Sequence, residues 1–420
     1  MKICIKIPYG QDFMEAQIDE DRLIGCYSLQ PAKAIVNLEK AIKEVLMHPI
    51  ESEPLINITT GSRRILIVSD DNTRRTPVHR ILPILLEELA YCGINDEDIK
   101  ILFASGSHRP MSIVEIEKKI GKEIYERIQT FSHDCRKDLI YKGSTPMGTH
   151  IYINKLVEEA DFIIGIGSII PHRYCGWSGG GKIIQPGICG EETIIGTHLM
   201  ITKDPSIKLG SMNNKVRAEI NEVAKVAGLK FIINTILNSE GDVVGLVAGD
   251  PICAHKAGMI IAKEVCGVKM ERADIVVISS FPEDLNVWQA GKALYAADLV
   301  VKEGGTVILV SPLTEGVGEH LEMISLMGCS CKDIFKKINK GEIEDLLSGA
   351  AGFAISQVLD RTKVFVVTDG INDETASKMR MIRYRNLQDA IEEAITDNPS
   401  AKIVCLKEGT EILPIIKILQ

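Results

Sequence analysis

The sequence predicts an α/β protein of two α/β domains with parallel-rich sheets and an active-site cleft between them. Three observations carry this. The chain has 420 residues, more than one ordinary core holds. Short apolar runs alternate with helical patterns, the signature of βαβ units and a parallel sheet. Three of those runs, all in the first half, end in polar clusters, and open α/β sheets bind ligands beyond the carboxyl ends of their strands.

At the N-terminus, "MKICIKIPYGQDFMEAQ" has no long apolar run after its lysines and reads as a strand rather than a signal peptide. "RRILIVSDDNTRRTP" reads as a buried strand, Ile65 to Val68, running into Asp70–Arg75. "HRILPILLEELAYCG" reads as a helix stopped by Gly93. "IKILFASGSHRP" is a second strand, ending at Ser105–Pro110, with a helical pattern over Ile113–Ile120. "ADFIIGIGSIIPHRY" is a third, ending at Pro171–Tyr174. Alternation resumes at Ala273–Ser280, Thr306–Pro312, Lys363–Gly370 and Ala401–Gly409, with helix candidates such as "LQDAIEEAITD" between them. We expect a first domain over residues 1–270 plus about 287–305, and a second over 271–286 and 306–420. The polar, glycine-bearing "DLNVWQAGKALYAAD" comes after a strand and is a further candidate for the cleft.

Composition narrows the class. Hydrophobic residues make up 45% and charged residues 25%, the mixture of a soluble globular protein. A net charge of −9 argues against a nucleic-acid surface, which needs a basic face. No apolar stretch is long enough to cross a bilayer. The 11 cysteines contain no CxxC pair, which suits buried thiols in a reducing cytoplasm rather than a disulfide framework.

The stretch "PHRYCGWSGGGKIIQPG", Pro171 to Gly187, contains Gly176-x-x-x-x-Gly181-Lys182, the spacing of a phosphate-cradling P-loop. A P-loop needs Ser or Thr next, to reach Mg²⁺; Ile183 stands there, and Pro186-Gly187 would break the required helix. Two readings remain: a turn lysine among glycines chosen for positive φ, or glycine N–H groups at Gly179, Gly180 and Gly181 holding an anion while the Lys182 amine anchors an electrophilic cofactor. His108 and His172 each come after a strand and neighbour an arginine, which suits an acid/base pair; each alone would read as a surface residue. His198 sits in "EETIIGTHLM" without HxxH or HExxH spacing, so local metal ligation is not signalled. Arg74, in Asp71-Asn72-Thr73-Arg74, suits a carboxylate clamp or a turn ion pair. Gln289 and Lys292 share a helix face, for a ligand or for solvent.

As an ordered set, these residues resemble the nickel-dependent lactate racemase family. The resemblance runs through Asp71-x-Thr73-Arg74, His108, His172, "GWSGGGKIIQPG" with Lys182, His198, and Gln289 with Lys292. It implies a racemase or epimerase of 2-hydroxy acids, working by proton-coupled hydride transfer through a 2-oxo acid. It implies a nickel-pincer nucleotide (a pyridinium-3-thioamide-5-thiocarboxylic acid mononucleotide holding nickel) covalently bound to Lys182, with His198 as nickel ligand. His108 and His172 become the acid/base pair. Arg74, Gln289 and Lys292 take the substrate carboxylate, and Asp71 positions the cofactor or a histidine. It also implies cofactor-synthesising proteins acting in trans, and it is compatible with a homo-oligomer. The chain departs from the lactate enzyme at the pocket wall. Trp288 stands where that enzyme has a tyrosine, and no later tryptophan exists in the chain, so Tyr174, Trp177 and Trp288 are expected to shape a different pocket and favour an acid other than lactate. Two other readings are a nicotinamide-dependent 2-hydroxy acid dehydrogenase, which the missing GxGxxG disfavours, and a non-catalytic nickel or nucleotide carrier, which needs no acid/base pair.

Overall fold

The computed structural model describes residues 1–59 and 61–417. The chain forms two compact units, one of Pro31–Met200 with Ser211–Val265, the other of Met1–Gln30, Ile201–Gly210 and Cys266–Gln420.

The first unit is built on a six-stranded sheet. Its order is Val243–Gly249, Leu229–Leu237, Phe162–Ser168, Ile65–Asp70, Ile99–Ala104, Gln129–Ser132. All neighbours are parallel except Leu229–Leu237 with Val243–Gly249. All six residues of Ile65–Asp70 and all seven of Phe162–Ser168 are buried, as expected for strands covered on both faces. The Val78–Tyr91 helix lays Val78, Ile81, Leu82, Leu85 and Leu89 into the core with helical spacing, and Gly93 (φ +79°) ends its turn as anticipated. Ile113–Ile120 is the expected helix, opened by a reciprocal cap between Ser112 and Glu115. The chain leaves Ile65–Asp70 toward one edge of the sheet and later returns to its other side through Phe162–Ser168. The crevice beyond those two carboxyl ends is therefore the topological switch point.

The second unit holds another six-stranded sheet, entirely parallel. Its order is Met381–Tyr384, Lys363–Val367, Val301–Val310, Ala273–Ser279, Ile403–Leu406, Leu23–Tyr27. The domain boundaries differ here from those expected. Leu23–Tyr27 pairs with Ile403–Leu406, which carries the first thirty residues into this unit. The Val287–Val300 helix also belongs to this unit, not the first. Asn286 caps that helix by accepting from Gln289 N at 3.1 Å.

Candidate functional site

Three polar loops of the first unit leave three adjacent central strands, Ile99–Ala104, Ile65–Asp70 and Phe162–Ser168. They carry His108, Asp71 with Arg74, and His172. His108 Nδ1 lies 2.7 Å from Asp71 Oδ2. Asp71 is buried, and its other oxygen accepts from Thr73 N (3.1 Å) and Thr73 Oγ1 (2.5 Å). Burial alone would raise this carboxyl, but the His108 ring and Arg74 outweigh it and hold the group well below the usual carboxylate range. An ionised carboxylate only accepts, so His108 carries a proton on Nδ1, and in the neutral ring the lone pair is then on Nε2. Arg74 donates to Thr73 Oγ1 at 2.9 Å, which ties it to the same loop.

His172 is held the opposite way. Its Nδ1 accepts from Tyr174 N (3.3 Å) and Cys175 N (3.5 Å), which puts the proton of the neutral ring on Nε2. The Tyr174 ring stands 5.9 Å from His172 and 4.7 Å from His198, centroid to centroid. His198 ends the Glu191–His198 helix, and its Nδ1 donates to Ile194 O at 2.9 Å. Its lone pair is therefore on Nε2, the tautomer a metal-ligating imidazole adopts.

Lys182 sits on a short 3₁₀ turn, Gly180–Ile183, rather than at the start of an α-helix, so the P-loop spacing is coincidental. Ile183 is buried, and Gly165 in the Phe162–Ser168 strand makes room for it: a Cβ on Gly165 would stand 2.7 Å from Ile183 Cγ2. The residue that cannot serve Mg²⁺ thus seats the turn on the sheet beside the switch point.

Successive peptide groups before the lysine are gripped by buried side chains. Arg217 donates to Trp177 O and to Gly179 O, the latter at 3.2 Å. His255 Nε2 donates to Ser178 O at 2.7 Å, and Gly180 N donates to Asn234 Oδ1 at 2.8 Å. Burial, then the Arg217 charge, push His255 well below the usual histidine range, so it is a fixed neutral donor. A Cβ on Gly180 (φ +59°) would meet His255 Cγ at 2.8 Å. Arg217, Asn234 and His255 escaped sequence reasoning, because inside a helix or strand nothing marks them. Trp177 is fully buried and belongs to the core, which corrects its expected place on a pocket wall.

In the second unit, Gln289 is buried and Lys292 lies one turn on, on the same face. Lys292 Nζ bonds both Gln289 Oε1 and the buried Glu283 carboxylate. Glu283 was not singled out in the sequence, although it stands in the polar cluster after the Ala273–Ser279 strand. Trp288 is half-buried.

Among the described residues, no group of three or more His, Cys, Asp or Glu is placed to hold a metal ion. No helix among them is long and apolar enough to cross a membrane.

Comparison with known proteins gives one consistent result. Residues 9–210 match the lactate racemase N-terminal domain and residues 268–414 the lactate racemase C-terminal domain. The lactate racemase of Thermoanaerobacterium thermosaccharolyticum is 31% identical over 97% of this chain and 98% of its own length. That of Lactiplantibacillus plantarum is 31% identical over 98% and 99%. The apoprotein structure of the T. thermosaccharolyticum enzyme superposes with a TM-score of 0.88 at 29% identity, covering 99% of this chain and 100% of that one. A Thermotoga maritima protein shares the fold, with a TM-score of 0.74 at 23% identity, over 92% and 100%. With both domains matched and nearly the full length covered, the chain belongs to the lactate racemase family and is an isomerase of the racemase kind.

Proposed function

We propose that this racemase inverts C2 of a 2-hydroxy acid, with His108 and His172 exchanging the hydroxyl proton. The observation that carries the reading is the pair of opposite tautomers. His108 offers a lone pair at Nε2 and can take a proton; His172 offers a proton at Nε2 and can give one. A racemase needs both, because whatever leaves one enantiomer must be returned to make the other, and the roles swap in the reverse direction. Asp71 stabilises the imidazolium that forms when His108 accepts.

Direct removal of the C2 proton is disfavoured beside a carboxylate. Oxidation to a planar 2-oxo acid, with reduction then coming from its other face, inverts the centre more easily. The nickel-pincer nucleotide implied by the resemblance would supply that step by taking and returning the C2 hydride. The residues fit such a group. Lys182, on its clamped turn, would hold it covalently, and His198 Nε2 would be the nickel donor. A single histidine suffices only for a metal that brings its remaining donors with it, consistent with the lack of a multi-residue metal cluster among the described residues. Arg74 would clamp the carboxylate, with Gln289 and Lys292 as further contacts, and Tyr174 and Trp288 would bound the substrate. The small-molecule partner is then the acid itself, and cofactor-making proteins would act in trans in the cytoplasm.

The test is production with and without those proteins. Intact mass should report the covalent addition at Lys182, and chiral chromatography should report inversion of a single enantiomer. Loaded protein that leaves every 2-hydroxy acid enantiopure would refute the reading.

A further inference from the structure

Two cysteines that the proposed reaction does not use stand side by side in the sheet of the second unit. Cys26 lies on the Leu23–Tyr27 edge strand and Cys405 on its neighbour, Ile403–Leu406, and the two are partners in the parallel register. Directly paired residues of adjacent strands project from the same face. Their strands lie about 4.7–4.9 Å apart, inside the Cα separation of about 4.4–6.8 Å that a disulfide spans. The two thiols are free and meet in a side-chain hydrogen bond. Their surroundings differ. Cys405 is buried in the core with Val277 and Ile403, while Cys26 is exposed at the sheet edge.

That asymmetry divides the chemistry between them. The hydrogen bond from Cys405, outweighing burial and helped by the Lys407 charge, holds the Cys26 thiol below the ordinary thiol range. The same bond, together with burial, pushes Cys405 well above it. Burial pushes Cys135, Cys189, Cys253 and Cys331 up as well. The thiolate is the form that attacks a disulfide, so Cys26 is the reachable nucleophile and Cys405 a second thiol shielded from solvent. We infer that Cys26 and Cys405 form a redox-sensitive modification site, which a small-molecule disulfide oxidises to an internal disulfide. The Cys26 thiolate attacks one sulfur of the small disulfide, whose S–S bond breaks and whose other half leaves as a thiolate. Cys405 then attacks the Cys26 sulfur of the mixed disulfide and expels the second half. The two protons of the cysteines end on the two released thiols, so the protein loses two hydrogens and the small disulfide is reduced. Such a pair suits a reducing compartment, where disulfides are transient and sensing rather than structural. The bond would close most of the chain into one loop, tying down an edge strand whose surroundings are held by Leu29 N on Glu408 Oε2 (3.2 Å) and Arg22 Nη1 on Pro399 O (2.7 Å). None of this rests on the racemase reading.

The experiment uses the full chain, reduced, freed of reductant and kept folded in native buffer, with oxidised glutathione as the probe. Intact mass should fall by two hydrogens, and peptide mapping without reductant should show Cys26 joined to Cys405. Dithiothreitol should restore both thiols. Cys405→Ala should stall with one glutathione on Cys26, and Cys26→Ser should leave Cys405 free, because the probe does not reach it. Before oxidation, iodoacetamide at neutral pH should label Cys26 several times faster than Cys4, which is also exposed but whose sulfur lies 3.7 Å from the Glu15 carboxylate. Wild-type protein that keeps both thiols, that stops at glutathione on Cys26, or that links the two cysteines only in denaturant overturns the inference. So does oxidation of Cys405 in folded Cys26→Ser, or labelling of Cys26 no faster than that of Cys4. If Cys405→Ala does not fold, the wild-type peptide map still decides.

Discussion

Asp71→Asn removes one charge from the candidate site and almost nothing else. The carboxylate is buried, 2.7 Å from His108 Nδ1, and held ionised by His108 and Arg74. An amide of the same shape can still accept, but it can equally present its NH₂, so the His108 tautomer is no longer set. Two losses result. A charge-assisted hydrogen bond, worth about 1.5–3 kcal/mol, becomes a neutral one worth about 0.5–1.5 kcal/mol. On the proposed mechanism, the imidazolium formed when His108 takes a proton would also lose its counter-ion. One opposite charge at this range shifts a titrating group by about 1–3 units, at about 1.4 kcal/mol per unit, so kcat should fall by about tenfold to a thousandfold. The assay is single-enantiomer turnover at matched cofactor loading, with ¹⁵N shifts of His108 reporting the tautomer independently. The stability effect has a defined sign. A carboxyl held low when folded stabilises fully above the ordinary carboxylate range, and that contribution is lost as pH falls through and below it. The gap in unfolding free energy between wild type and Asp71→Asn should therefore shrink between about pH 6 and pH 3. Turnover within twofold of wild type, with Nδ1 still protonated, would refute the role given to Asp71.

Three further outcomes are expected. Lys182→Ala should carry no covalent nucleotide by intact mass, while His198→Ala should keep the covalent mass and lose nickel by metal analysis; a loaded Lys182→Ala protein contradicts the anchor. Gly180→Ala should destabilise by about 2–5 kcal/mol, combining left-handed backbone strain with overpacking against His255. Gly93→Ala, also at positive φ but with no atom within 4 Å of the added Cβ, should cost only the strain, and calorimetric melting of the two separates the effects. Protein made without the cofactor-making proteins should fold yet bind little nickel and show no turnover; robust activity on adding nickel salt alone would count against a cofactor-dependent site.

The strands were legible because a parallel strand buried on both faces is a continuous apolar run, as in Ile65–Val68, Phe162–Ile166 and Ile275–Ile278. The three polar clusters at their ends were legible for the same reason, since a strand's carboxyl end is where the apolar run stops. Domain membership was not. Leu23–Tyr27 finds its partner some 380 residues later, at Ile403–Leu406, and no local pattern encodes that pairing. Neither was the support beneath Lys182. Arg217 and His255 occupy helices and Asn234 a strand, where a single polar residue looks like any solvated position until the fold buries it. The P-loop spacing misled because glycine spacing alone carries no information about packing: Ile183 is a core residue whose partner, Gly165, lies on another element. The tautomers of His108 and His172 are set by Asp71 Oδ2 and by two backbone N–H groups, so they exist only once the loops are folded.

The most direct test of the proposed chemistry tracks the C2 hydrogen itself. One enantiomer of a 2-hydroxy acid, deuterated at C2, is incubated with loaded protein in ordinary water, and both enantiomers are recovered and their isotope content measured. The expected result is convergence to a mixture of the two enantiomers with deuterium retained at C2 in each, because on the proposed route the hydrogen would leave and return as hydride while His108 and His172 would handle only the hydroxyl proton. Loss of the label to solvent as inversion proceeds would show that the C2 proton is abstracted instead, and would contradict the hydride route.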